Sequence, residues 1–250
     1  MSRHEAGIEI EGLSKAYADV VAVDGLTLEI GKGELFGLLG PNGSGKTTTI
    51  NCLCGLVKPN AGSMRVGGYD VATEIQKVRA ILGVSPQETA VYAHLTGREN
   101  IEFFGELYST PKELLKKSTE SLVQKLGLAQ DADRRLGRYS GGMRRRVSIA
   151  MALVQDPQVV FLDEPTVTMD PQSRRAMWDI IRELKAGGKT IVLTTHYMEE
   201  AEALCDRVGI IDHGKLIELG TPDGLKAKYG AKTLEDVFLT LTGRTIREGA

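Results

Sequence analysis

Cysteine is scarce in this chain: Cys52, Cys54 and Cys205 are the only 3 among 250 residues. An odd number without zinc-site or disulfide-framework spacing reads as reduced thiols. Cys52 and Cys54 fall in an expected helix, where residues two apart point to different faces, so buried packing is expected rather than a C-x-C metal pair. Long apolar runs are missing as well. No stretch approaches the ~18 apolar residues of a membrane-spanning helix, and the opening MSRHEAGIEIEG lacks the apolar segment of a secretory leader. The reading is a soluble or peripheral protein. There is no excess of charge of one sign: 31 Lys and Arg face 33 Asp and Glu, for a formal net charge of -2. A general attraction to nucleic acid or to an anionic membrane is therefore excluded, and such a partner would have to be recognised locally. Repeats and low-complexity linkers are also lacking. What remains is an ordinary globular mixture, 42% hydrophobic and 26% charged, with one excess, the 29 glycines.

Short strands are expected over residues 8–13, 26–30 and 34–39, parted by turns at Asp24-Gly25 and Gly31-Lys32-Gly33. A glycine-rich loop then opens a helix ending near Gly55, a C-cap. Residues 96–155 read as mostly helical. Thr96 and Glu99 form a capping box, and Pro111 starts a stretch with Leu114, Leu115, Leu122 and Leu126 at helical spacing. From residue 158 an apolar run ends in two acids, a helix follows Pro171, and Thr190 to Thr194 reads as a buried strand. Val208 to Asp212 and Leu216 to Leu219 flank His213-Gly214 as a hairpin, before two short amphipathic helices. Alternating strands and helices predict an α/β fold with a parallel sheet, as one domain over 8–243 with 96–155 as a helical subdomain and 244–250 as a tail.

Three motifs carry chemistry. Gly40-Pro41-Asn42-Gly43-Ser44-Gly45-Lys46-Thr47 fits G-x-x-x-x-G-K-[ST], whose backbone N–H groups cradle phosphates. Glycine is needed where the main chain must approach an anion with positive φ. Lys46 would neutralise the β and γ phosphates, Thr47 would place its hydroxyl on Mg²⁺, and with Thr48 the helix N-terminus would add its positive end. The strand Val159-Val160-Phe161-Leu162 ends in Asp163-Glu164. Strand alternation would send these carboxylates to opposite sides, Asp163 to Mg²⁺ and Glu164 to polarise the attacking water. Taken alone the pair is also an ordinary polar strand end. Tyr139-Ser140-Gly141-Gly142-Met143 opens a helix with Arg144, Arg145 and Arg146. It reads either as a second anion-binding nest or as an N-cap with two permissive glycines, and the arginines as a solvated face with one packed inward.

In this order the motifs resemble the ATP-hydrolysing subunits of ABC transporters, from about Ile8 to Gly243. The resemblance implies a RecA-like P-loop NTPase core with an N-terminal antiparallel β region and a helical signature subdomain. It implies that Ser140, Gly141 and Gly142 contact the γ phosphate of ATP held by a second subunit, in a head-to-tail homodimer. Gln87, in Val84-Ser85-Pro86-Gln87-Glu88, matches the Q-loop glutamine that approaches Mg²⁺ and couples hydrolysis to a membrane partner. His196 matches the switch histidine, Asp170 the last D-loop residue, and Tyr17 the aromatic that stacks on adenine. A histidine donor at the γ phosphate contributes about 3 kcal/mol in the transition state.

The signature departs from the usual Leu and Gln at Tyr139 and Met143, a variant similar to daunorubicin-type drug exporters. Leu234-Glu235-Asp236-Val237-Phe238-Leu239, with Thr242-Gly243-Arg244, resembles the same branch, whereas Thr168-Met169 stands where Gly-Leu is usual. The resemblance implies ATP and Mg²⁺ as cofactors and an integral membrane permease as partner. It places the chain in the cytoplasm, peripheral on the inner face of the membrane, with export of a drug-like or other small molecule and no nucleic acid. Two other readings stand beside it: a ribosome- or DNA-associated ABC switch, and a P-loop kinase, which leaves Ser140-Gly141-Gly142, Gln87 and His196 without work.

Overall fold

The computed structural model describes residues 6–243 apart from Ser109 and Thr168. His4, the Thr168 position of the expected D-loop, Arg244 and the tail 244–250 lie outside the described residues. The elements run β1 (Ala6–Tyr17), β2 (Val20–Gly31), β3 (Leu35–Leu39), α1 (Lys46–Leu53), β4 (Ala61–Val66), β5 (Tyr69–Asp70), α2 (Ile75–Ile81) and β6 (Leu82–Ser85). There follow α3 (Gly97–Leu107), α4 (Lys112–Lys125), α5 (Gly141–Leu153), β7 (Val159–Asp163), α6 (Pro171–Ala186), β8 (Thr190–Thr195), α7 (Met198–Leu204), β9 (Arg207–Asp212), β10 (Lys215–Gly220), α8 (Pro222–Tyr229) and α9 (Leu234–Thr242). The chain divides into two units, residues 1–79 with 190–250, and residues 80–189.

In the first unit β1 pairs antiparallel with β2 and β4, and β4 with β5. Ile8, Ile10 and Leu13 of β1 and Val23, Leu26, Leu28 and Ile30 of β2 are buried, the alternation of a sheet covered on one face. A second set of strands is parallel: β3 lies between β8 and β9, with Leu38 opposite Thr194 and Gly209, and β10 closes antiparallel on β9. Every residue of β3 and β8 is buried, as parallel strands covered on both faces are. The fold is the α/β class the sequence predicts.

Asp24-Gly25 is not a turn between strands. The chain reverses at Ala18, with φ +47°, so β1 and β2 are both longer than expected. Gly25, at φ +64°, lies inside β2, where the register steps from Leu26 to Val23 while β1 steps from Leu13 to Lys15. The extra residue is a bulge, which a glycine in the left-handed region absorbs. His213-Gly214, with φ +47° and +79°, makes the expected hairpin of β9 and β10.

In the second unit β6 and β7 pair in parallel. Gly83 lets β6 sit tight against α5, since a Cβ there would come within 2.2 Å of the Ala152 carbonyl. The hydroxyls of Ser85 and Ser148 join the same two elements at 3.1 Å. The capping box of Thr96 and Glu99 is present on α3, and Pro111 is the N-cap of α4. Leu115 and Leu126 are buried, whereas Leu114 is exposed. Asn100, wholly buried, holds the segment before α3 by bonding the Tyr92 N–H at 2.8 Å and donating to the carbonyls of Tyr92 and Thr96.

The C-terminal helices are tied to the first unit by carboxylates. Glu202 of α7 accepts from the Lys226 ammonium of α8 and from the Leu234 N–H of α9. Glu218 of β10 accepts from the Lys228 ammonium and, at 2.5 Å, from the Tyr229 hydroxyl. These two donors, Lys228 first, hold the Glu218 carboxyl down at about 2. A carboxyl lowered in the fold takes up protons more readily in the unfolded chain, so its stabilisation is present above the ordinary glutamate value and fades as pH falls toward 2. Glu218→Gln is therefore expected to lower stability at pH 7. The gap between the two proteins should close across pH 4.5 to 2, read as urea midpoints.

Candidate active site

The first unit carries Tyr17, the loop of residues 40–47, and His196. β3 delivers the chain into the loop at a buried strand end, and α1 takes it away. Gly40 is walled in: a Cβ would meet the Ile211 carbonyl oxygen at 2.3 Å and Ser44 Oγ at 2.5 Å. Gly45, at φ +107°, is the N-cap of α1, and a Cβ there would lie 2.2 Å from the Ala22 carbonyl oxygen. Gly43, at φ +80°, faces open space, and a Cβ there would meet nothing within 4 Å. The loop is stitched by Ser44 N–H to Pro41 O at 3.2 Å and by Gly214 N–H to Ser44 O at 3.0 Å.

The Lys46 ammonium, 5% exposed, bonds the carbonyls of Gly40 at 2.8 Å and Pro41 at 3.1 Å. Ser44 Oγ is buried inside the loop without a hydrogen-bond partner. A buried hydroxyl left over in a loop whose helix N-terminus has no side-chain cap fits an anion as the missing acceptor. Thr47 is exposed and Thr48 half-buried at the first turn of α1, while Asn42 and Gly43 form the exposed rim. Tyr17 ends β1, 46% exposed, with the Lys15 ammonium 4.9 Å from its ring centroid. His196 follows β8, half-buried, its ring 4.3 Å from that of Tyr197.

The second unit carries Gln87, Ser140 to Gly142, Asp163, Glu164 and Asp170. Asp163 is the last residue of β7, and both acids are buried. Strand alternation does not separate them. Glu164 has left the strand with φ +48°, a conformation that costs a non-glycine residue ~1–2 kcal/mol, so a tight turn aims its carboxylate. Gln87 is exposed in the segment after β6, and its Nε2 stands 3.4 Å from Glu164 Oε2. These two residues, 77 apart in the chain, are thus brought together.

Ser140 is the N-cap of α5, its hydroxyl accepting from the Met143 N–H at 3.2 Å. Tyr139, where the usual signature has Leu, is buried, and its hydroxyl donates to the Asp131 carbonyl. Burial raises its phenol. Asp170 caps α6, accepting from Ser173 Oγ at 2.6 Å and from the N–H groups of Gln172 and Ser173, and the Ser173 hydroxyl leads in lowering its carboxyl. A Cβ on Gly142 would be 3.8 Å from Ser173 Oγ, so the starts of α5 and α6 are neighbours. Arg145 is the arginine that turns inward, 4% exposed. The run of three arginines announced one such residue without saying which.

The sequence pattern of the ABC transporter family matches residues 23–167, more than half of the chain. This chain belongs to the ABC transporter family. The match spans Lys46, Gln87, Ser140, Asp163 and Glu164 and stops short of Tyr17, Asp170 and His196. The linearmycin resistance ATP-binding protein LnrL of Bacillus subtilis is 42% identical over 236 residues, covering 94% of this chain and 75% of that protein. The daunorubicin resistance ATP-binding protein DrrA3 of Streptomyces coeruleorubidus is 41% identical over 240 residues, covering 96% and 76%. Among solved structures, an ATP-binding subunit of an ABC transporter superposes with TM-score 0.85 at 28% identity, covering 94% of this chain and 99% of that one. A dimeric ATP-binding cassette in a post-hydrolysis state with ADP and Pi superposes with TM-score 0.79 at 25% identity, covering 86% and 98%. This ABC subunit is an ATPase with the P-loop NTPase fold of its family, and among its described residues no helix is long and apolar enough to cross a membrane.

The two inner glycines of the loop are expected to respond differently. Gly45→Ala drives a Cβ into the Ala22 carbonyl and should abolish nucleotide binding with a loss of more than ~2 kcal/mol of stability. Gly43→Ala meets only the left-handed strain of ~1–2 kcal/mol. Urea unfolding with titration of a fluorescent ATP analogue separates the two.

Proposed function

We propose that this chain powers a separate membrane permease by binding and hydrolysing Mg-ATP, for export of a drug-like or other small molecule. The 3.4 Å approach of Gln87 Nε2 to Glu164 Oε2 carries the reading. It sets an exposed glutamine, able to follow a partner, beside a buried carboxylate suited to take a proton from water. In this reading the loop from Gly40 to Thr48 holds the triphosphate through the N–H groups of its residues other than Pro41, with Lys46 leaving its loop carbonyls for the β and γ phosphates. Tyr17 stacks on adenine. Thr47, Gln87 and Asp163 offer hard oxygen donors of the kind Mg²⁺ takes when phosphates complete its shell. When bound, that ion neutralises charge on the phosphates.

Glu164 accepts the proton of the water that attacks the γ phosphorus as the bond to ADP breaks, and His196 donates to the γ phosphate as charge moves. Ser140, Gly141 and Gly142 meet the γ phosphate of a second copy in a head-to-tail homodimer, and Asp170 lies beside that contact. A cytoplasmic place, peripheral on the membrane through the permease, follows from this partnership. Export is supported by the drug-resistance functions for which the similar LnrL and DrrA3 proteins are named.

Glu164→Gln is expected to lower phosphate release by about 10²–10⁴-fold while ATP still binds, since only the proton acceptor is lost. Captured from solubilised membranes in Mg-ATP, the same variant should bring down a polytopic membrane protein. Full turnover would remove Glu164 from the mechanism, and recovery of ribosomes or DNA instead would favour a non-transport switch.

A further inference from the structure

We propose that Arg145 is the positioning residue that locks Gln87 and Glu164 into hydrolytic register and ties both to the helix that begins at Ser140. Its guanidinium reaches four main-chain carbonyls: Nε bonds Pro165 O at 3.3 Å, Nη1 bonds Pro86 O and, at 3.3 Å, Gln87 O, and Nη2 bonds Asp163 O. The neighbouring arginines do something else. Arg144 is exposed and reaches the Gly137 carbonyl at 3.5 Å, and Arg146 bonds Leu126 O at 3.2 Å.

The identity of the carbonyls gives Arg145 its role. Pro86 O belongs to the peptide plane that ends in the Gln87 nitrogen, and Asp163 O to the plane that ends in the Glu164 nitrogen. Holding those planes fixes the Cα directions from which both side chains leave, and the two side chains meet at 3.4 Å. Gln87 O lies in the plane that follows Gln87, so that residue is gripped before and after. Pro165 O lies one residue beyond Glu164 and holds the turn on its far side. Glu164 needs such a grip because its φ of +48° is unfavourable for a glutamate and persists only when its surroundings over-determine it.

Only arginine can do this from one position. Its planar fork presents five donors in diverging directions, whereas lysine offers one nitrogen on a flexible stem. Arg145 also sits within the first turns of α5, whose N-cap is Ser140. A shift of that helix when an anion seats at its start is therefore passed to the carboxylate by a rigid, buried linker rather than through a loop.

The inference rests on the reading of Glu164 as the group that activates water. The test compares the full-length protein with Arg145→Lys, Gln87→Ala, the double variant and Glu164→Gln. The readings are kcat and KM for ATP, affinity for a fluorescent ATP analogue, and thermal unfolding. Arg145→Lys is expected to lower kcat by up to about a hundredfold, the size of an ångström-scale misplacement, with KM and analogue affinity within about twofold of the parent. In the Gln87→Ala background the same change should cost markedly less, because part of what Arg145 positions is already gone. An Arg145→Lys protein that loses thermal stability yet keeps kcat, or whose effect is fully additive with Gln87→Ala, overturns the proposal. Turnover retained by Glu164→Gln overturns the catalytic reading beneath it, an outcome separate from additivity with Glu164→Gln inactive.

Discussion

Main chain packed against main chain at the phosphate loop is the constraint on which the first unit depends. Gly40 lies under the Ile211 carbonyl and Gly45 under the Ala22 carbonyl, so the loop is clamped between the end of β9 and the antiparallel sheet. The hairpin turn adds to the clamp, with Gly214 bonding Ser44 O by its N–H and Asp24 N–H by its carbonyl. With a main-chain carbonyl so near at Gly40 and at Gly45, neither position has room for a side chain. In the proposed reading the Lys46 ammonium exchanges the carbonyls of Gly40 and Pro41 for phosphate oxygens, a short move within the loop.

The second unit solves a different problem, that of aiming side chains from loops. Gln87 and Glu164 both lie just beyond strand ends, where no ladder holds the backbone. The support comes from α5, through the Ser85 and Ser148 hydroxyls, the close approach at Gly83 and the buried guanidinium of Arg145. Burying an arginine is costly in rotamer freedom and hydration. Four carbonyl acceptors offset that cost and make the turn at Glu164 rigid.

Local signals were legible where a few neighbouring residues suffice. The glycine-rich loop between β3 and α1, the capping box at Thr96, the proline ahead of α4 and the hairpin at His213-Gly214 each depend on residues close together in the chain, and each is where its pattern places it. Asp24-Gly25 misleads because Asp-Gly serves a turn and a bulge equally well, and only the pairing of β1 with β2 chooses between them. Asp163-Glu164 misleads because alternation holds only while the strand continues, and the turn after Asp163 ends it.

By itself, then, the sequence determined the class of fold and the family chemistry, since glycine spacing, a lysine at the loop's end and carboxylates after an apolar strand act through short-range geometry. The tertiary structure alone decided which of three consecutive arginines turns inward, and that Gln87 meets Glu164. Those outcomes join residues 18 to 77 positions apart. Side-chain direction at such range is set by how α5 packs on β6 and β7, and no local preference of Arg145, Gln87 or Glu164 encodes it.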